Sequence, residues 1–308
     1  MVLEDRDLGR PGAGQLLVRN KAIGINFVDV YERKGMYKVD LPFTPGNEGA
    51  GEVVAVGEGV TEFRPGDRVG YTGPSGAYAE ERLLPAGKAV HLPDDIGFDV
   101  AAAVMLKGGT AHYLLFETWP LKAGESILVH AAAGGVGSLL VQWASAMGAT
   151  VIATAGSEEK LAAARAHGAK FAFSYKDAAW PQQAREATGG RGVDVVYDGV
   201  GKVTFEPSLD TLRPRGLMVS YGNASGAVDI PNLGILAAKG SLYVTRPTTR
   251  HYHSTPEDLR RTMDAVFGAV RTGKIKPQIN QRFGLADAPE AHRALEARNT
   301  TGATLLIP

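Results

Sequence analysis

The chain has 308 residues, 44% apolar and 21% charged, an ordinary globular mixture whose length predicts two domains. Its 33 basic and 33 acidic residues cancel, so no global field favours nucleic acid or an anionic lipid surface. Cysteine is absent, which rules out disulfides, thiolate nucleophiles, iron–sulfur clusters and every sulfur-liganded zinc site. That composition fits a reducing compartment, and the expectation is a cytoplasmic protein. Met1-Val2-Leu3-Glu4-Asp5-Arg6 lacks the apolar core of a signal peptide. The 32 positions from Ser126 to Ser157 carry no formal charge, enough on paper to span a bilayer. Glycines, Gln142 and turn-forming residues break that stretch into strand, loop, helix and strand, so no membrane partner is expected.

From Gln15 to about Pro93 the chain shows short β-rich runs at Leu16–Ile25, Gly51–Val60, Asp67–Tyr71, Tyr78–Leu84 and Ala89–Leu92. Pro65-Gly66-Asp67 and Gly73-Pro74 are turn signals between them. This rhythm predicts an antiparallel barrel or sandwich. From Ser126 it changes to strict alternation. Strands are predicted at Ile127–His130, Thr150–Thr154, Lys170–Phe173, Asp194–Tyr197, Leu217–Tyr221 and Leu242–Thr245. Helices are predicted between them at Val136–Met147, Glu158–His167, Ala178–Thr188, Phe205–Leu212 and Leu233–Ala238. Apolar strands in βα alternation predict a doubly wound parallel sheet, an α/β fold with helices on both faces. Beyond Pro247 come a helix at Pro256–Thr272, another at Pro289–Arg298 and a closing strand at Thr304–Ile307. A seventh parallel strand would need another crossover helix, so the tail is expected to return to the first domain. The predicted domains are 1–105 with 248–308, and 106–247.

Chemistry begins at the first βα turn, Ala131-Ala132-Ala133-Gly134-Gly135-Val136-Gly137. Glycines here let the backbone approach a pyrophosphate, and the next helix offers it free N–H groups and a positive dipole end. A glycine triplet alone could serve only helix–strand packing. Its position after an apolar strand, at the head of a βα series, favours dinucleotide binding.

The end of the second strand selects the cofactor. NAD-preferring folds place an acidic residue there for the ribose hydroxyls. This chain has Ala155-Gly156-Ser157, followed by Glu158, Glu159 and Lys160. Ser157 and Lys160 suit a 2′-phosphate and favour NADPH. The competing reading makes Ser157 a helix cap and Lys160 a solvated charge.

Several segments carry a family resemblance. They are the glycine turn, Val195-Val196-Tyr197-Asp198-Gly199-Val200-Gly201, Tyr221-Gly222-Asn223-Ala224-Ser225-Gly226 and the ending Thr301-Gly302-Ala303-Thr304-Leu305-Leu306-Ile307-Pro308. Lys21-Ala22-Ile23-Gly24-Ile25-Asn26-Phe27 and Leu242-Tyr243-Val244-Thr245-Arg246-Pro247 add to it. Together they resemble the zinc-independent quinone oxidoreductases related to zeta-crystallin, within the medium-chain dehydrogenases/reductases. The resemblance covers nearly the whole chain. It implies a discontinuous GroES-like catalytic domain, a Rossmann domain and NADPH-dependent quinone reduction in a homodimer. Family members normally have one more N-terminal strand and a Gly-Gly-Pro-Glu stretch before the segment matching Val2-Leu3-Glu4. This sequence starts after it, so the expectation is either a truncated start or a first sheet that lacks that strand.

Zinc-dependent relatives carry Gly-His-Glu, whose His binds the catalytic metal. The matching place here is Gly46-Asn47-Glu48, with Asn in place of that His. His251 and His253 have no third partner nearby in sequence, so no metal is expected. An alcohol needs Lewis-acid help to give up hydride, whereas a quinone is already electron-poor. The acceptor is therefore expected to be a quinone or an activated alkene.

By resemblance, Asn26, Asp29, Tyr31 and Tyr37 border the nicotinamide and acceptor. Asn26 would orient the carboxamide or the acceptor oxygen, and the tyrosines would stack on or bond to a ring. Asp29 as an ordinary helix-start acid, and the tyrosines as core packing, are the alternatives. Further cofactor contacts rest on the resemblance alone: Tyr113, Lys160, Tyr175 and Arg298 around the adenosine or its 2′-phosphate, Gly222, Asn223, Val244 and Arg246 along the nicotinamide side, and Gly199 among the cofactor-binding glycines. Relatives pair across a dimer axis through the edge of the sixth strand.

Neither a Gly-x-Ser-x-Gly elbow nor a Gly-x4-Gly-Lys-[Ser/Thr] loop occurs. Three functions stay open: an NADPH:quinone reductase, a zinc-free enal or alkene reductase, and a dinucleotide-binding protein with a structural or RNA-binding role. Zero net charge and the lack of a basic–aromatic cluster argue against nucleic acid as a partner.

Overall fold

The computed structural model describes residues 1–308. The chain divides into two compact units. One comprises Met1–Gly109, His253–Gly268 and Pro277–Pro308; the other comprises Thr110–Tyr252 and Ala269–Lys276. In chain order the elements begin with β1 (Gln15–Gly24), α1 (Phe27–Arg33), β2 (Glu48–Val56), β3 (Arg68–Thr72), β4 (Glu81–Pro85), β5 (Ala89–His91) and α2 (Phe98–Tyr113). They continue with β6 (Ser126–Val129), α3 (Gly135–Ala146), β7 (Thr150–Ala155), α4 (Glu158–Ala166), β8 (Phe171–Ser174), α5 (Trp180–Glu186) and β9 (Val193–Asp198). Next come α6 (Phe205–Leu209), β10 (Leu212–Ser220), α7 (Gly234–Ala238), β11 (Tyr243–Thr245) and α8 (Thr249–Tyr252). The chain closes with α9 (Pro256–Arg271), β12 (Ile279–Gly284), α10 (Ala288–Glu296) and β13 (Ala303–Ile307).

The first unit is built on a seven-stranded sheet in the order β12-β13-β1-β2-β3-β5, with β4 also paired to β1. β1 shows the period-two pattern of a strand with one covered face, since Leu16, Val18, Asn20 and Ala22 point inward. Its partners β2, β4 and β13 all run antiparallel to it. The tail returns through β13, which sets Leu306 against Ile23 and Leu305 against Gly24. Leu16, Val18, Ile23, Val69, Tyr71, Leu84 and Leu306 form the fully buried centre of this core.

The second unit carries six parallel strands in the order β11-β10-β9-β6-β7-β8. Counted within the unit this is 3-2-1-4-5-6, the dinucleotide-binding order with its topological switch between β6 and β9. Ile127, Leu128, Val129, Val151, Ile152, Val195 and Val196 are buried, as strands covered on both faces require. Leu139, Leu140, Val141 and Trp143 of α3 are also buried.

Several elements differ from the sequence expectation, each for a physical reason. α2 is long and almost wholly buried, so it lacks the polar stripe that reveals a surface helix. It ends in a π-helical turn, Leu114–Thr118. β12 is a strand of mixed polarity, Ile-Asn-Gln-Arg-Phe-Gly, parallel to β13. The run expected at Tyr78–Leu84 starts as strand only at Glu81, because Ala77 and Tyr78 donate their N–H groups to Gly46 and Pro45 instead. β2 begins at Glu48, three residues before the expected Gly51, which puts Asn47 at the mouth of a strand.

Leu306 lies on the closing strand with no exposed surface, so Leu306→Ala is expected to destabilise the protein by about 2–5 kcal/mol. Denaturant unfolding of the full chain measures this. The exposed Val2→Ala serves as the control and should change stability by less than about 0.5 kcal/mol.

Candidate active site

Two sets of polar groups stand out, one in each unit. In the first, α1 starts immediately after β1, and Asn26 is its N-cap. The Asn26 N–H donates to Asp29 Oδ2 at 2.8 Å, half of the reciprocal arrangement that starts helices. Asp29 has no exposed surface. Its Oδ1 accepts from Asn47 Nδ2 at 2.8 Å, and its Oδ2 also accepts from Tyr78 Oη at 3.1 Å. Burial pushes the Asp29 carboxyl up to about 7, against the lowering effect of its hydrogen bonds from Asn47, Asn26 and Tyr78.

Asn47 spends its amide on two acids, donating to Asp29 and to Glu32 Oε2 at 2.9 Å. Ser75 Oγ also donates to Glu32, at 2.9 Å. Behind Asp29, Tyr78 Oη lies 2.9 Å from His292 Nε2. Tyr78 has one proton and gives it to Asp29, so its oxygen accepts from His292 Nε2–H. His292 Nδ1 is buried without a partner, which suits the bare lone pair of that neutral tautomer. Burial, and then the nearby Arg33, lower His292 to about 4.

Glu48, the first residue of β2, is also fully buried. It forms an ion pair with Lys107 of α2 and accepts from Asn26 Nδ2 at 2.8 Å and from Leu106 N at 2.7 Å. Tyr31 is buried on α1, and Tyr37 packs edge-on against it with ring centroids 5.3 Å apart. The four residues predicted to line the acceptor thus lie at the N-cap of α1, on it, or in the segment following it. Sequence reasoning missed Glu48, Lys107, Tyr78 and His292 as their partners.

In the second unit the glycine turn sits between β6 and α3, with Gly134 as N-cap. A Cβ on Gly137 would overlap the Ala131 carbonyl oxygen and come within 2.9 Å of Ala132 Cα. Only glycine lets the helix start this close to the strand end. The leading amides of α3, at Gly135, Val136 and Gly137, therefore fall in the anion-binding position of a helix start. At the end of β7, Gly156 lies against the Tyr175 hydroxyl. Ser157 caps α4 and accepts from Lys160 N at 3.4 Å. No carboxylate occupies the strand end itself.

The remaining predicted cofactor residues of this unit form two groups. Gly199 lies against the Tyr221 ring, and Gly222 lies against Gly199. Arg246 donates to Ser220 O at 2.7 Å and to Asn223, whose amide donates in turn to Gly222 O at 3.0 Å. Val244 is the middle residue of β11. Asp198 holds this loop: its Oδ1 accepts from Val200 N at 2.7 Å and Gly201 N at 3.1 Å. Tyr113 is buried and stacks on Tyr252 with centroids 4.3 Å apart. Arg298 lies in the first unit, exposed just past α10, in a left-handed backbone conformation with φ of 60°.

A six-stranded sheet of this order, in one chain with a GroES-like unit, is the architecture of medium-chain dehydrogenases and reductases. Models of the alcohol dehydrogenase GroES-like domain and of the zinc-binding dehydrogenase domain match residues 12–94 and 135–265. The chain is 54% identical to a quinone oxidoreductase of Pseudomonas aeruginosa, over 100% of this chain and 96% of that protein. It is 43% identical to a 2-haloacrylate reductase of a Burkholderia species, over 100% and 95% respectively. The structure of Escherichia coli quinone oxidoreductase complexed with NADPH superposes with a TM-score of 0.97 at 46% identity, covering 99% of this chain and 95% of that one. The chain belongs to the quinone oxidoreductase family within that superfamily. No group of three or more His, Asp and Glu side chains stands close enough to ligate a metal. His251 lies in α8, and His253 follows that helix.

The raised Asp29 carboxyl sets the sign of a pH effect. The unfolded chain releases this proton near pH 4, whereas the folded protein keeps it to about 7, so the Asp29 contribution to stability falls as pH rises between the two. The cost above pH 7 is about 4 kcal/mol. In Asp29→Asn that contribution is gone, and unfolding free energies at pH 4 and pH 8 check it. The variant should gain several kcal/mol relative to the wild type across this range; a pH-independent difference contradicts the assignment.

Proposed function

We propose that this protein is an NADPH-dependent quinone reductase that passes hydride to its acceptor without a metal. The observation that carries this reading is Asn47. It occupies the place where zinc-dependent relatives put a histidine, and its amide nitrogen donates to two acids, Asp29 and Glu32. Its relatives' names and the NADPH in the Escherichia coli structure support the same reading.

NADPH, when bound, supplies the hydride. Two electrons and one proton thus reach a ring carbon or carbonyl oxygen of the quinone, and one further proton completes the hydroquinone. The chain's own residues bind and orient. The amides of Gly135, Val136 and Gly137, with the α3 dipole, fit the pyrophosphate; Gly134 shapes the turn. Gly156 leaves room beside Tyr175, and Ser157 and Lys160 at the head of α4 fit a 2′-phosphate. Gly199, Gly222, Asn223, Val244 and Arg246 line the remainder of the dinucleotide, with Tyr113 held by its stack on Tyr252. The assignment of Arg298 to the 2′-phosphate rests on the family resemblance.

For the acceptor, Asn26 offers an amide N–H to the carbonyl oxygen, where it stabilises negative charge as hydride arrives. Tyr31 and Tyr37 form an aromatic wall suited to a flat ring. Asp29 fixes the start of α1 and thereby the place of Asn26. An electron-poor alkene would be activated through its carbonyl in the same way, and the relative named 2-haloacrylate reductase favours that as the second reading.

We also infer a homodimer. β11 pairs only with β10, leaving its outer edge open, and Tyr243 on it is 60% exposed. No helix is long and apolar enough to cross a membrane, and a cytoplasmic location is proposed from the cysteine-free composition.

Steady-state kinetics on wild type and Lys160→Ala, with NADPH and NADH against 1,4-naphthoquinone and a short enal, test the reading. The wild type should favour NADPH and the quinone. Lys160→Ala should raise KM for NADPH about tenfold or more and leave that for NADH nearly unchanged. Preference for the enal selects the second reading, and no turnover with any acceptor rejects both.

A further inference from the structure

Glu48 and Lys107 are buried charges that the reaction as described does not use. Their side chains are 0% and 5% exposed. Burying such a pair is a poor way to gain stability, because desolvating two charges offsets most of their attraction. The effect of the pair lies in what it does to Asn26. A primary amide has a donor end and an acceptor end of nearly equal size, so sterics alone do not choose between them. A carboxylate only accepts. Facing Glu48, Asn26 must therefore present its nitrogen, and it does so at 2.8 Å.

Lys107 Nζ and Leu106 N also donate to that carboxylate. A Cβ on Gly24 would overlap Glu48 Oε1, so a glycine at the end of β1 is needed for the carboxylate to lie there. Asn26 is meanwhile held through its backbone N–H by Asp29. With backbone and side chain both fixed, the second amide N–H of Asn26 has no partner within the chain and a single direction.

We infer that Lys107 and Glu48 act as a positioning pair, orienting the Asn26 amide so that its remaining N–H meets the carbonyl oxygen of the acceptor. The inference rests on the role proposed above for Asn26. Lys107 acts at a distance, by anchoring the Glu48 carboxylate in the place where Asn26 meets it. Without the ammonium the buried carboxylate loses that anchor, and the Asn26 amide loses the fixed acceptor that sets its orientation. The N–H offered to the acceptor is lost, while the dinucleotide residues of the second unit are untouched.

A double-mutant cycle in the full-length protein tests this. Lys107→Met and Glu48→Gln are made alone and each together with Asn26→Ala; kcat, and KM for NADPH and 1,4-naphthoquinone, are measured. Each single change should lower kcat about 10- to 100-fold, with KM for NADPH within about twofold of wild type. Combined with Asn26→Ala, neither should slow the enzyme beyond Asn26→Ala alone. Lys107→Arg keeps the cation and should recover most of the rate. If the losses multiply on top of Asn26→Ala, the pair acts elsewhere and the inference is overturned, while the role of Asn26 stands. If Asn26→Ala itself leaves kcat unchanged, the reading of Asn26 fails and the inference with it. Should Lys107→Met not fold, Glu48→Gln carries the same cycle, because it is nearly isosteric and replaces an acceptor-only group with an amide that can present either end to Asn26.

Discussion

A carboxylate withdrawn from water must be met by donors, and two such carboxylates govern how the polar end of the first unit is built. Asp29 and Glu48 have no exposed surface, and between them they engage a backbone N–H of α1, a backbone N–H of α2, two asparagine amides, a tyrosine and a lysine. Each donor satisfies an acid and is itself fixed in place by doing so. The amides of Asn26 and Asn47 thereby lose the end-to-end ambiguity that asparagine normally keeps. The sheet supplies the frame: Glu48 opens β2, and β1 runs directly into α1, so the acids meet where two strands end.

In the second unit the governing constraint is steric. The first turn of α3 lies so close to the end of β6 that a side chain at position 137 would collide with the Ala131 carbonyl. Helix amides then stand at the carboxyl ends of the parallel strands, where this sheet order leaves its crevice. Asp198 adds a second anchor by holding the amides of Val200 and Gly201. In the function proposed, one unit would offer donors for phosphate and the other an oriented amide and aromatic rings.

How far this could be read from sequence depended on whether the signal was local. The parallel sheet was legible because its strands are unbroken apolar runs between helices, and the glycine turn because it opens that series. Asn26 and Asp29 were singled out through the family resemblance, with a helix-start acid as the other reading of Asp29. Their partners were not, since Tyr78 and His292 pair across 214 residues and Glu48 and Lys107 across 59. No spacing rule links such positions; only the folding of β2, α2 and α10 around α1 brings them together. α2 was hidden by its apolarity on every side, and β12 by its polarity. Asn47 was noticed only as the absence of a histidine. Its actual work, bridging Asp29 and Glu32, needed the fold.

In the function proposed for this reductase, hydrogen bonding takes the part of a Lewis acid. A quinone asks little of the protein beyond orientation and a donor for the oxygen that gains charge, and both are within reach of neutral amides. The most direct test is turnover after exhaustive treatment with a strong chelator, with metal content verified by elemental analysis. The account predicts that NADPH oxidation by 1,4-naphthoquinone proceeds at the untreated rate and that added zinc does not raise it. Loss of activity on chelation, restored by stoichiometric zinc, would contradict it.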